Sequence, residues 1–203
     1  MATTTDQTAL DGIVSALEAA LVARDPQEAG HIERVSAYAA ALAERVDPTL
    51  LDDPGTIAGF RLHDVGKVAL PDATINRRGP LSARDWKLLH KHPLLGAQMV
   101  AATRALDSAE KVVRCHHERW DGHGYPAKMP GPDIPLAARI FAVADTLDAI
   151  TSDRAYRRGQ SIEAAREAIR AAAGSQFDPQ VVEALDSLSD EELERIRGAA
   201  SAG

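Results

Sequence analysis

VVRCHHERWDGHGYP, residues Val112 to Pro126, joins an apolar run to two adjacent histidines and then to a loop of charged, glycine and aromatic residues. Val112 and Val113 precede His116 and His117 by four positions each, one helical turn, so the histidines close a helix expected over roughly Ser108 to Glu118. Two imidazoles at a helix end serve either as ordinary core and cap residues, where the helix dipole also favours them, or as a pair of nitrogen ligands. The flanking chain has to decide between these.

Outward from this stretch the chain is a string of helices with clear start signals. Asp25-Pro26-Gln27-Glu28 opens one, with aspartate as cap and glutamate at the capping-box position. Ile32, Val35, Ala39, Leu42 and Val46 follow at helical spacing until Asp47-Pro48 stops it. Asp53-Pro54 begins a second, expected to run to about Val68 through RLHDVGK. Ser82 with Asp85 opens a third, which His92-Pro93 kinks or restarts. Pro135 starts another, striped by Leu136, Ile140, Val143, Leu147 and Ile150. Ser161 to Ala173 is closed by Gly174, and Asp178-Pro179 and Ser189 to Glu192 open two short helices. Residues 8–23 form an amphipathic helix at the front. No run alternates with period two, so the fold class is all-α.

Composition agrees. The 203 residues suit one domain with appendages, and 45% apolar content with only 4% aromatics favours close-packed helices. The organisation expected is an N-terminal helical segment over 1–24, a main domain over 25–187, and a short helix and tail over 188–203. A single cysteine, Cys115, forbids an internal disulfide, suits a cytoplasmic location and is most simply a small packing residue. No apolar run is long enough to span a membrane, and MATTTDQTALDG lacks the marks of a signal peptide. The net charge of −7 argues against a nucleic-acid polymer as partner, so attraction for an anionic ligand must be local.

Local attraction can come from a metal. His31, His63, His92, His116 and His117 lie on four helical segments, His63 is followed by Asp64, and Asp145 sits on a fifth. Taken singly, a histidine on an apolar face is usually a satisfied core residue, and His-Asp is a common dipeptide. His90 and His123 read as surface or loop residues, and Asp148 as a cap or the partner of a nearby arginine. Together, five imidazoles and two carboxylates exceed the needs of one ion but suit two, drawn from Fe, Mn, Zn, Co or Ni. A bridging carboxylate such as Asp64 could hold such a pair roughly 3.5–4 Å apart.

HDVGK, KHPLLGAQMV, HHERWDGHGYP and ARIFAVADTLDAITSDRAYR, in that order, resemble the HD-GYP family of cyclic di-GMP phosphodiesterases, and GSQFDPQVVEAL resembles the close of that domain. The likeness runs from about Asp25 to Leu185. It implies an HD-domain helical bundle with a dinuclear metal site in its core, holding two divalent ions, iron or manganese first. The implied ligands are His31, His63, Asp64, His92, His116, His117 and Asp145. Asp64 and Lys67 would carry catalysis, with Lys67 also facing substrate phosphate. Tyr125 would line the guanine pocket, and Arg154 and Arg157 would hold phosphate or base. The implied reaction is attack by a metal-bridged hydroxide on cyclic di-GMP, giving linear pGpG or GMP. Two departures stand out. Gln27 occupies the offset where some members carry a glutamate for a third metal, with Glu28 one place away. Lys128-Met129 replaces the usual Gly-Leu beyond GYP.

Two other functions stay open at this level. One is phosphohydrolysis of another cyclic dinucleotide or nucleotide. The other is a non-catalytic, metal-bound nucleotide-sensing module acting through a protein. A signal input would arrive through the N-terminal helix or a protein partner, for instance a GGDEF-type cyclase.

Overall fold

The computed structural model describes residues 4–77, 79–153 and 158–199. The helices are α1 (Thr4–Arg24), α2 (Glu28–Val46), α3 (Pro54–Leu62), α4 (Asp72–Ile75), α5 (Ala83–Leu89), α6 (His92–Val100), α7 (Asp107–Cys115), α8 (Leu136–Thr151), α9 (Ile162–Ala171), α10 (Pro179–Ser187) and α11 (Asp190–Ala199). Single 3-10 turns cover Pro48–Asp52, Val65–Ala69, Arg104–Leu106 and Gly131–Asp133. Among the described residues there is no strand, only the isolated bridges Asp121 to Pro130 and Ala173 to Phe177. The fold is all-α.

Capping chemistry sets several helix starts. Asp53 and Asp178 accept hydrogen bonds from the backbone N–H groups of Gly55 and Gln180, both at 2.9 Å, with proline in the first turn. Ser82 and Asp85 form a reciprocal capping box at α5. A fresh helix, α6, begins at His92-Pro93.

Helices α2 and α8 pack side by side at the centre. Val35, Tyr38, Ala39 and Leu42 meet Ile140, Val143, Ala144 and Leu147 with little or no exposure, and Phe60 of α3 stacks on Phe141 at 5.9 Å. Small alanines at these positions let the helix axes approach. From α9 and α10, Ile169, Val181 and Leu185 complete this core. A second cluster packs Leu10 and Val14 of α1 against Ala58, Leu62, Val65 and Val113. At the far end, Tyr38 donates to the Leu193 carbonyl at 3.3 Å, tying α11 to α2, and burial pushes its phenol up to about 12. Arg166 is buried against the carbonyls of Leu185 and Leu188 and so satisfies the C-terminal end of α10.

Three helix ends near the site differ from the sequence expectation, the first being α7, which stops at Cys115 and leaves His116 as its cap and His117 beyond it. The helix after Asp25-Pro26 begins only at Glu28, with Asp25 accepting from Gln27 N–H at 3.2 Å; the Glu28 side chain turns inward instead of closing a cap. The helix expected from Pro54 to Val68 ends at Leu62, because His63 and Asp64 leave it and Val65–Ala69 tightens to 3-10 geometry. The cause lies at Gly66. Its Cα packs on the first turn of α6, where an added Cβ would lie 2.0 Å from the His92 carbonyl oxygen and 2.5 Å from the Gly96 nitrogen. A continuing α-helix would not bring the two backbones this close.

Candidate metal centre

The break at His63 builds the site. It turns Asp64 into the space between α2, α6 and the end of α7, where it is shared by two ligand clusters. Asp64, His92, His116 and His117 offer atoms that all lie within 4.8 Å of one another, and so do Glu28, His31, His63 and Asp64. Asp145 belongs to neither set; its Oδ1 lies 3.6 Å from His31 Nε2 at the edge of the same cavity. Arg154 and Arg157 lie outside the described residues.

The hydrogen bonds around these rings leave a donor set that fits cations. The Nδ1 atoms of His63, His92 and His116 lie 3.1, 2.7 and 2.8 Å from the carbonyls of Phe60, Leu89 and Val113. A carbonyl only accepts, so each Nδ1 carries a proton, and each ring in its neutral form presents an Nε2 lone pair inward. These lone pairs converge: His92 and His116 Nε2 are 3.2 Å apart, and His31 and His63 Nε2 are 3.4 Å apart. Asp64 Oδ1 and Glu28 Oε2 are buried without a hydrogen-bond partner. Acceptors facing acceptors in a buried site match divalent cations with mixed nitrogen and oxygen ligands.

Other groups position these ligands. Asp148 Oδ2 sits 2.7 Å from His31 Nδ1, and Arg34 Nε donates to Asp148 Oδ1 at 2.5 Å. Asp148 thus pairs with an arginine, one distant in sequence and not a near neighbour, and the same carboxylate orients His31. Burial raises the Asp148 carboxyl, but His31 and Arg34 outweigh it and hold it at about 2. Lys67 lies on the 3-10 turn and not one turn along a helix from His63. Its Nζ is 2.6 Å from Asp64 Oδ2 and 2.7 Å from Glu28 Oε1. Burial disfavours the Asp64 carboxylate, but Lys67, His63 and His92 together keep its pKa well below the usual range.

Burial pushes His116 down to about 4, and burial with the neighbouring rings of His116 and His92 lowers His117 well below its ordinary value. Burial also disfavours charge on His63, yet Asp64 reverses the sign and raises it. An unfolded histidine titrates at about 6.5. His116 and His117 thus contribute stability that is complete above that pH and is lost as pH falls towards 4. His63 works in the opposite sense. The chelator-treated protein should lose about 3 kcal/mol through His116 between pH 6.5 and 4. Thermal melts at pH 7 and 4.5 should differ by roughly 5 °C or more. A level profile would mean that these rings are not held neutral.

Three features of the site went unread in the sequence. Glu118 is buried and accepts from the backbone N–H groups of Ala127, Lys128 and Met129 at 2.6, 3.1 and 3.1 Å, anchoring the loop beyond Gly124-Tyr125-Pro126. Lys128 adopts φ 57°, a left-handed conformation that glycine takes without steric penalty. His90 is exposed, as expected, but stacks on Tyr125 with ring centroids 4.0 Å apart, and Tyr125 stacks on His117 at 4.7 Å. Cys115 is buried beside Met129, and burial pushes its thiol up to about 11. It is a packing residue.

Residues 15–181 match the family model of the HD domain. The chain belongs to the HD domain family. This HD domain is 35% identical over 175 residues to a 3′3′-cGAMP-specific phosphodiesterase of Vibrio cholerae, covering 85% of this chain and 34% of that protein. Against a cyclic di-GMP phosphodiesterase of Pseudomonas aeruginosa the identity is 43% over 160 residues, covering 76% of this chain and 37% of that protein. A solved cyclic GMP-AMP-specific phosphodiesterase of V. cholerae shares the fold with a TM-score of 0.63 at 19% identity, over 91% of this chain and 52% of that one. The HD domain described here spans well under half the length of these two curated relatives. Among the described residues, no helix is long and apolar enough to cross a membrane.

Proposed function

We propose that this HD domain is a metal-dependent phosphodiesterase that hydrolyses cyclic di-GMP to linear pGpG or GMP, with two divalent ions, iron or manganese, in its centre. The observation that carries this reading is the sharing of Asp64 between two ligand clusters on the floor of a cleft of about 660 Å³, a volume within the range of small-molecule sites. The names of the curated relatives support the substrate class. When bound, the ions supply Lewis acidity and a nucleophilic water at neutral pH. The chain's own part is to hold and balance charge. Lys67 has three N–H donors, two of them directed to Asp64 and Glu28, and the third remains for a phosphate oxygen. Burial disfavours the Lys67 ammonium, but the two carboxylates raise its pKa and keep it charged. Tyr125 forms an aromatic wall beside His117. Arg154 and Arg157 remain our proposed contacts to phosphate or base.

The test uses protein purified without oxygen and loaded with Fe(II) or Mn(II). It is presented in turn with cyclic di-GMP, 3′3′-cGAMP and cyclic di-AMP, with products resolved by chromatography and metal content measured on the same sample. Turnover of cyclic di-GMP with about two ions per chain is expected. Preference for 3′3′-cGAMP would reassign the substrate. Tight retention of cyclic di-GMP without turnover, in a filled site, would replace the enzyme with a sensing module.

A further inference from the structure

The cleft has one wall that the chemistry above leaves unused. Trp86 of α5 lines it together with Asp64, Lys67 and Tyr125, yet the residue is 49% exposed. Among the described residues the other exposed large hydrophobic side chains are Ile13 and Leu94, neither of which lines this cleft. The indole is held in place. His90, four residues on and so on the same helix face, meets it edge-on with centroids 5.7 Å apart and 64° between planes. His90 in turn stacks on Tyr125 at 18°, and Tyr125 on His117 at 26°. A continuous series of rings thus runs from the ligand cluster to the rim. The capping box of Ser82 and Asp85, with Arg77 on Asp85 at 2.7 Å, fixes the start of the helix that carries Trp86.

The rest of the lining is largely charged, including Asp25, Glu28, Arg34 and Asp153. An apolar peptide face would cover these charged groups without offering them any polar partner. A flat π-system with polar edges suits both: its face covers the indole, its N–H edge can donate to the lining carboxylates, and phosphates attached to it would face Lys67 and Arg34. We propose that Trp86 is the platform on which one purine base of the substrate stacks, and that it sets affinity at the outer end of the cleft. This rests on the phosphodiesterase reading for the identity of the ligand, but not for the stacking itself.

Cyclic di-GMP is titrated into chelator-treated protein, where no turnover intervenes, and indole emission is followed. The chain has two tryptophans, Trp86 and Trp120. Quenching is expected in the wild type and absent in Trp86→Phe, which still binds because phenylalanine also stacks. Trp86→Ala should weaken binding by about tenfold or more in calorimetry. In the Mn(II)-loaded enzyme the loss should fall on KM rather than on kcat. Trp86→Ala within twofold of wild type, or quenching that persists in Trp86→Phe, would overturn the proposal. Quenching at Trp86 without any hydrolysis would sink the phosphodiesterase reading and leave the platform standing. Hydrolysis with an unaltered KM in Trp86→Ala would do the reverse. A wild type that neither binds nor hydrolyses cyclic di-GMP removes both.

Discussion

Asp64→Ala should empty both halves of the metal centre at once. Asp64 is the one residue common to the two ligand clusters, and its unpartnered Oδ1 lies 3.0 Å from His92 Nε2 and 3.8 Å from His116 Nε2. Without it each cluster falls to three members, and the lysine beside them keeps only Glu28 as its partner. A positive Lys67 would then repel incoming cations with less to offset it. Metal content should drop from the proposed two ions per chain to a small fraction, and turnover by on the order of 10³-fold or more. Asp64→Asn preserves the volume and should give the same metal loss with an unchanged circular dichroism spectrum, which separates the effect from unfolding. An Asp64→Ala protein that remains loaded and active would end the bridging role.

Gly66→Ala should do comparable damage from outside the ligand set. The new methyl group would sit 2.0 Å from the His92 carbonyl oxygen and 2.9 Å from its carbon, atoms of backbone and not of a yielding side chain. Helix α6 would have to move, and it cannot retreat freely. Gly96 on its first turns is already so close to Val113 that a Cβ there would meet Cγ1 at 2.8 Å. Overpacking in cores typically costs 1–3 kcal/mol, and a backbone clash of this kind should reach about 3 kcal/mol or more. The melting temperature should fall by roughly 6–12 °C. Displacement of α6 also carries His92 away from Asp64, so metal content should fall even where the protein remains folded. Gly12→Ala is the matched control: it lies within α1 with nothing within 4 Å of the new Cβ, and should be neutral or slightly stabilising. Equal melting curves for the two variants would show that the α6 contact is soft.

The parts of this molecule that were legible in the sequence are those encoded by near neighbours. Ser82 with Asp85, Asp53-Pro54 and Asp178-Pro179 start helices where caps say they should, and the stripe from Leu136 to Ile150 marks the face of α8 that packs inward. What escaped depends on distant partners. The sequence lets the helix run on through His63 because nothing nearby forbids it; the backbone of α6, some thirty residues on, does. Asp148 meets His31 and Arg34 across 117 and 114 positions, which no spacing rule can anticipate. Glu28 fits a capping box on paper but is turned into the site by Lys67. Trp86 and His90 are a different case, since their separation of four was visible from the start and only its meaning was missed.

The anchoring of the loop by Glu118 bears on how such a site can drift over generations. The carboxylate holds residues 127–129 through N–H groups that every amino acid except proline possesses. Side chains there are consequently released from the task of keeping the loop in position. Lysine can stand at residue 128 at φ 57°, at a conformational penalty of roughly 1 kcal/mol relative to glycine. The loop can exchange what it shows to a ligand while its path stays put, and proline is the residue that this rim cannot accept.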